Sequence, residues 1–184
     1  PPPPKRPVLT TSIRFNLIDL LFGRVSGEFE YAFAGPFSFT IGPQWIFADP
    51  RQDRSLGVTA NGFGLAGELG VWVEGRPLRG YFLKAHLDHS WLKFHSKNPD
   101  GAPIQDVDNP ATRIGALFGS QSIYGGWFSV SGGFGIVYDL QSEERPINYY
   151  NPVDGQQKTG PIGASGLFGN GIDLLTQLAI GGSF

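Results

Sequence analysis

The sequence predicts an all-β protein, an eight-stranded antiparallel up-and-down transmembrane β-barrel over residues 9–184, behind a proline-rich arm at 1–8. Three observations predict it. From residue 9 onward apolar or small residues alternate with polar ones, and strand side chains point alternately to opposite faces. Connections tend to alternate between tight and long, as they do where short turns close one end of a barrel and loops the other. One strand face is too bulky for the inside of a small barrel, while the other is small, polar or charged. Helical periodicity is convincing nowhere.

The arm reads Pro1-Pro2-Pro3-Pro4-Lys5-Arg6-Pro7. A proline run lacks backbone donors and favours extended polyproline II, so it is read as a solvated arm, with a proline-motif ligand as the functional alternative. A first residue of Pro and the absence of Met are expected of a processed product whose signal peptide is gone.

Strands are expected near 9–19, 23–34, 37–48, 58–74, 79–94, 111–123, 127–140 and 166–184. In the second, Val25, Gly27, Phe29, Tyr31 and Phe33 alternate with Arg24, Ser26, Glu28 and Glu30. The third sets Phe37, Phe39, Ile41, Pro43, Trp45 and Phe47 against Ser38, Thr40 and Gln44. The fourth opposes Phe63, Leu65, Leu69, Val71 and Val73 to Gly64, Ala66, Glu68 and Gly70, and the fifth opposes Tyr81, Leu83, Ala85 and Leu87 to Lys84, His86 and Asp88. The seventh alternates Phe128, Val130, Phe134, Ile136 and Tyr138 with Ser and Gly. Links at 34–36, 74–77 and 124–126 are tight, and those at 49–57, 95–110 and 141–165 are long and rich in Asp, Asn, Pro and Gln. The first connection, at 20–23, is short and departs from the alternation.

Composition removes several function classes. With 14 Lys+Arg against 16 Asp+Glu there is no basic excess to neutralise phosphates, so no nucleic-acid partner is expected. Without Cys there is no disulfide framework and no thiolate chemistry. No run of 18 apolar residues occurs, which rules out a transmembrane helix and leaves a closed barrel open.

The faces then decide which side is wet. An eight-stranded barrel has room inside only for its own side chains. The 15 Phe, 6 Tyr and 4 Trp would overfill it, so the bulky face is expected to meet lipid. Trp45, Phe47, Tyr81, Trp91 and Trp127 fall near strand ends, where interfacial aromatics belong. The opposite face carries Glu28, Glu30, Glu68 and Asp88 together with Arg14, Lys84, His86 and Arg113. A charge buried alone is costly, so these are expected to pair into a salt-bridge network that plugs the lumen, the functional alternative being a gated narrow channel.

The last strand places Ile172, Leu174, Leu178, Ile180 and the final residue, Phe184, on one parity. Here the chain resembles eight-stranded bacterial outer-membrane barrels of the OmpA, OmpX and OmpW type, over about residues 9–184. That resemblance implies that Leu178, Ile180 and Phe184 form a C-terminal signal read by the barrel-assembly machinery. Gly182 departs from it, since those proteins usually place an aromatic two residues before the end. It carries no catalytic motif and implies no cofactor.

Other motifs are weaker. Gly62-Phe63-Gly64-Leu65-Ala66-Gly67 spells G-x-G-x-x-G, but alternation continues through Val73 where a nucleotide site needs a helix. His86 and His89 differ by an odd number and face opposite sides, while His89 and His95 lie about 20 Å apart along a strand, so no single-strand pair chelates a metal. His86 and Asp88 share a face and could orient a serine nucleophile, as in a lipid-modifying hydrolase. Outer-membrane lipid A deacylases are similar in size and carry His-x-Ser, whereas this chain has His89-Ser90 and His95-Ser96. Asp100, Asp106 and Asp108 lie in one long loop, where a divalent cation or plain solvation would suit them. Tyr149 and Tyr150, in another, are interaction candidates.

The expected function is non-enzymatic: an integral outer-membrane protein with a structural, anchoring or interaction role in the cell envelope. Its expected partners are membrane lipid, lipopolysaccharide and other envelope proteins.

Overall fold

The computed structural model describes residues 9–48, 56–140, 145–162 and 171–184. In chain order its elements are β1 (Thr11–Asn16), the single helical turn α1 (Ile18–Leu21), β2 (Arg24–Ala34), β3 (Phe37–Ile46), β4 (Val58–Trp72) and β5 (Gly80–Lys97). They continue with β6 (Pro103–Asp108), β7 (Ala111–Tyr124), β8 (Phe128–Asp139), β9 (Arg145–Asn151), β10 (Gln156–Ile162) and β11 (Ile172–Ser183). β1, β2, β3, β4, β5, β7, β8 and β11 pair antiparallel, each with its neighbours in that order, and β1 meets β11 with Ser12 opposite Ser183. The result is a closed eight-stranded up-and-down barrel, as alternation predicts.

The tight turns and the chain's last residue share one end, and the long connections share the other. At the turn end Gly125 and Gly126 take φ of +59° and +85°, a left-handed conformation that costs glycine nothing. Leu78 is the one described non-glycine residue with positive φ, at 61°, and its side chain is fully buried in the lumen. Burial of about 2–3 kcal/mol outweighs the ~1–2 kcal/mol cost of that backbone.

Several expectations are corrected. The first strand ends at Asn16 rather than 19, because α1 occupies the short first connection at the loop end. β5 continues to Lys97 rather than 94, because β6 folds back from within the long link and pairs with its end, Lys93 opposite Asp108. The long link at 141–165 holds the β9–β10 hairpin. The proline arm, residues 49–55 of one long link and the expected start of the last strand at 166 lie outside the described residues.

Even-numbered residues of β4 and β5 face the lumen and odd-numbered ones face outward. Three rings break the expectation that aromatics belong outside: Trp72, Phe82 and Phe94 are buried. Trp72 and Phe82 pack edge to face at 5.2 Å and, with Ala32, Leu78 and Leu117, fill the turn end of the lumen. Phe94 belongs to a second apolar cluster, with Ile46, Val58, Ala60, Leu92 and Ile147, at the loop end. There the β9–β10 hairpin covers the inner face of the β4–β5 extension.

The outer wall is apolar between two levels. Trp45 and Trp91 both pair with Phe63, and Phe63 stacks on Trp91 at 4.7 Å, which marks the upper level. Tyr81, Tyr124, Trp127 and Phe184 stand exposed at the turn end. Along β4 and one residue past its end the band runs from Phe63 to Val73, ten residue steps, or about 33 Å at ~3.3 Å each. At a barrel-strand tilt of ~40° that is about 25 Å of height.

Candidate functional site: the lumenal charge network

All eight predicted lumenal groups meet. Alternating parity turns each inward, and the barrel's small bore brings the five strands that carry them within side-chain reach. Arg14 on β1 lies between two carboxylates of β2: its Nη2 is 2.9 Å from Glu28 Oε2 and 2.6 Å from Glu30 Oε2. Lys84 on β5 follows, with Nζ 3.2 Å from Glu30 Oε2 and 3.0 Å from Glu68 Oε2. His86 Nδ1 is 2.9 Å from Glu68 Oε1, and its Nε2 is 2.9 Å from Asp88 Oδ2. Arg113 Nε donates to Asp88 Oδ1 at 3.0 Å. The order is therefore Glu28, Arg14, Glu30, Lys84, Glu68, His86, Asp88, Arg113, with signs alternating throughout.

Ionised carboxylates only accept hydrogen bonds, so a ring with one on each nitrogen must donate from both. His86 is thus an imidazolium, and the eight groups sum to zero: Glu28, Glu30, Glu68 and Asp88 against Arg14, Lys84, His86 and Arg113. Neutral side chains satisfy the remaining lone pairs. Ser38 Oγ donates to Glu30 Oε1 at 2.6 Å and accepts from Trp72 Nε1 at 3.0 Å, which ties the network to the aromatic plug. Lys84 also donates to Thr40 Oγ1 at 3.1 Å and sits 5.1 Å from the Phe82 ring centre. Gln177 Nε2 donates to Glu28 at 2.7 Å. Arg14 donates to Gln121, whose Nε2 reaches Ser183 Oγ at 3.3 Å. Gln177 and Trp72 were not singled out by sequence reasoning, although their inward parity is a signal that could have found them.

Above the network the lumen holds a cavity of about 530 Å³. Glu68, His86 and Leu117 contribute to its lower wall, and α1 lies at its mouth with Asp19 directed inward. Asp19 accepts a hydrogen bond from Ser26. Burial pushes its carboxyl above the ordinary carboxylate range, against the opposing pull of that bond.

The other candidates scatter. Leu178 and Phe184 face outward, Ile180 is half-buried, and the Phe184 backbone closes the barrel seam, its N–H donating to Thr11 O at 2.8 Å. Tyr149 packs against the loop-end apolar cluster, and Tyr150 lines a surface groove with Asn98 and Gln157. The acidic loop does not converge: Asp106 faces His95 at 2.9 Å, Asp108 faces Lys93 at 3.5 Å, and Asp100 caps its own turn through Ala102 N–H. His89 points outward, bonded to Thr112 at 2.8 Å and edge-on to Trp91. Among the described residues no group of three His, Cys, Asp or Glu is arranged to hold a metal. The G-x-G-x-x-G residues lie wholly within β4, where a Cβ on Gly62 would sit 2.1 Å from the Trp91 carbonyl oxygen, so close strand approach accounts for that glycine. Comparison with protein-family models, curated proteins and solved structures finds no match.

Proposed function

We propose that this chain is an integral, non-enzymatic protein of a bacterial outer membrane. Its lumen is plugged, and it serves as a structural anchor that presents a loop-end module to lipopolysaccharide and other envelope proteins. One observation carries the reading: polarity inverts along single strands. Between Phe63 and the end of β4 at Trp72, and between Tyr81 and Trp91 on β5, the outer face is mostly apolar, and the inner face is small, polar or charged apart from Trp72 and Phe82 of the turn-end plug. Beyond Phe63 and Trp91 the outer face becomes Asn61, Thr59, Lys93, His95 and Lys97, while the inner face becomes Ala60, Val58, Leu92 and Phe94. A strand in water throughout has no reason to exchange faces. A strand that leaves hydrocarbon for water does, because the solvent that selects its outer face changes there. The switch falls at the aromatic level, and the band below it has the ~25 Å height of a barrel's lipid-facing wall.

The filled turn end and the neutral network favour anchoring over solute passage. With both His86 nitrogens engaged by carboxylates, the ring has no lone pair with which to activate a serine, which favours a non-enzymatic role. Depth-resolved quenching by brominated lipids tests the membrane reading on single-tryptophan variants. Trp45, Trp91 and Trp127 should quench most with bromines near the headgroups, and Trp72 should resist quenching at every depth. Equal, weak quenching of all four refutes insertion. In planar bilayers a stable open state of hundreds of picosiemens refutes the plug.

A further inference from the structure

We infer that the loop-end cavity of the lumen is a binding site for a neutral polyhydroxylated ligand, a carbohydrate of one or two rings. The inference does not rest on the membrane reading, because a barrel in water would hold the same cavity.

Small inward residues keep the chamber open. Its volume, about 530 Å³, lies within the range of small-molecule sites, whereas protein interiors otherwise close-pack. Gly42 on β3, Ala66 on β4 and Ser90 on β5 line it, where larger side chains would fill it. At Gly115 and Gly135 an added Cβ would lie no more than 2.1 Å from a carbonyl oxygen, so close strand approach demands glycine there. Gly42 differs. Its φ is not positive, and a Cβ would meet nothing nearer than the Ala66 Cβ at 3.4 Å, an ordinary contact. What glycine provides at 42 is room.

The charges on the wall are already engaged. Glu28, Glu68, His86 and Arg113 belong to the network, Asp19 accepts from Ser26, and Arg24, Asp139 and Asp173 each interact with a partner. An ionic ligand would have to take a partner from one of these groups.

The hydrogen-bonding capacity left open is neutral. Asn16 is 6 % exposed, and its Oδ1 accepts the backbone N–H groups of Ile18 and Leu178, which leaves its two amide donors for the chamber. Ser90 is 4 % exposed, and neither it nor Gln44 makes a side-chain hydrogen bond among the described residues. A polar group buried without a partner is destabilising, so these three call for an occupant that bonds them. They stand on β1, β3 and β5, at separate points around the bore, and together offer both donors and acceptors. A hydroxyl both donates and accepts, so a ring bearing hydroxyls on several sides answers all three. Between them the wall is apolar at Leu117 and Leu175, with Phe22 beside α1, surfaces suited to the C–H faces of a sugar ring.

The test is calorimetric titration of the full, refolded chain with glucose, N-acetylglucosamine and maltose. Gluconate and glucosamine serve as anionic and cationic matches. At least one neutral sugar should bind with a millimolar or tighter dissociation constant, and the charged matches about tenfold or more weakly. Added salt should leave the neutral sugar's affinity unchanged. Gln44→Ala/Ser90→Ala should weaken it about tenfold. Gly42→Val removes no hydrogen bond and fills the chamber, so it should abolish binding. Should either variant fail to fold, the probe series on the unaltered chain decides alone. Three results overturn the inference: no neutral sugar binding at about 50 mM, equal binding of the charged matches, or undiminished binding to folded Gly42→Val. Bromolipid quenching is unaffected either way, so failure here and failure of the membrane reading are separable.

Discussion

Glu30 is the hinge of the charge network, and Glu30→Gln measures what the network contributes. The carboxylate lies 2.6 Å from Arg14 and 3.2 Å from Lys84, and all three side chains have zero exposure. Glutamine keeps the shape: its carbonyl can face the two cations while its amide donates to Ser38. Charge is what disappears, and the network moves from neutral to +1. Removing one partner of a buried ion pair costs roughly 3–5 kcal/mol. Here the lower end applies, about 3 kcal/mol, because Arg14 retains Glu28 and Lys84 retains Glu68. That is roughly a hundredfold in the folding equilibrium. Glu28→Gln is the control. Its side chain is 11 % exposed and Gln177 already contacts it, so about 1 kcal/mol is expected. Combining Glu30→Gln with Lys84→Met restores neutrality and should recover more than half of the loss. Urea titration of the refolded barrel in lipid vesicles, followed by tryptophan fluorescence, gives each value. The reasoning fails if Glu30→Gln lies within ~0.5 kcal/mol of the parent, or costs less than Glu28→Gln.

Three further outcomes are expected. Trp72→Ala should cost about 3–5 kcal/mol in the same titration, since it empties the turn-end plug and removes the donor to Ser38. Nitrogen-15 NMR at neutral pH should show both His86 ring nitrogens protonated, and a single-tautomer pattern would contradict the imidazolium assignment. Asp19 has a folded-state pKa above its unfolded value of about 3.9, so its penalty is absent below that pH and grows as pH rises through the folded value. Asp19→Asn should therefore stabilise the barrel at pH 7 and change nothing at pH 3, as read by urea midpoints at the two pH values.

The barrel was legible because alternation is a local signal that survives in all eight wall strands. The same parity turned Glu30, Glu68 and Lys84 to one side before any partner was known. Who meets whom was not legible, since it depends on strand stagger: Lys84 touches Glu30 across two intervening strands, and Gln177 meets Glu28 from the far side of β1. Trp72 and Phe82 were hidden among outward apolar neighbours such as Val71 and Leu83, so bulk masked parity. β9 and β10 were missed because Pro146 and Pro161, paired opposite each other, read as breakers. They are tolerated in a two-stranded ribbon that has only one ladder to maintain.

The exchange of faces along β4 yields a prediction that separates water from lipid with one side chain. Leu69 lies near the middle of the outer band and is 61 % exposed. If water surrounds the barrel, Leu69→Lys merely replaces one exposed side chain by another and should change stability by no more than ~0.5 kcal/mol. If hydrocarbon surrounds it, the ammonium at mid-depth costs about 2–4 kcal/mol. Asn61 is on the same face of the same strand, one outward position beyond the aromatic level, so Asn61→Lys should cost about 0–1 kcal/mol in either solvent. The inner face runs the opposite way. Leu92→Lys, beside Phe94 and Ile147, buries an unpaired charge and should be as costly as Leu69→Lys. A lipid-facing wall therefore requires Leu69→Lys and Leu92→Lys to be severe and Asn61→Lys to be mild. Mild effects at both Leu69 and Asn61, measured in the vesicle titration, would remove the basis for placing this barrel in a membrane.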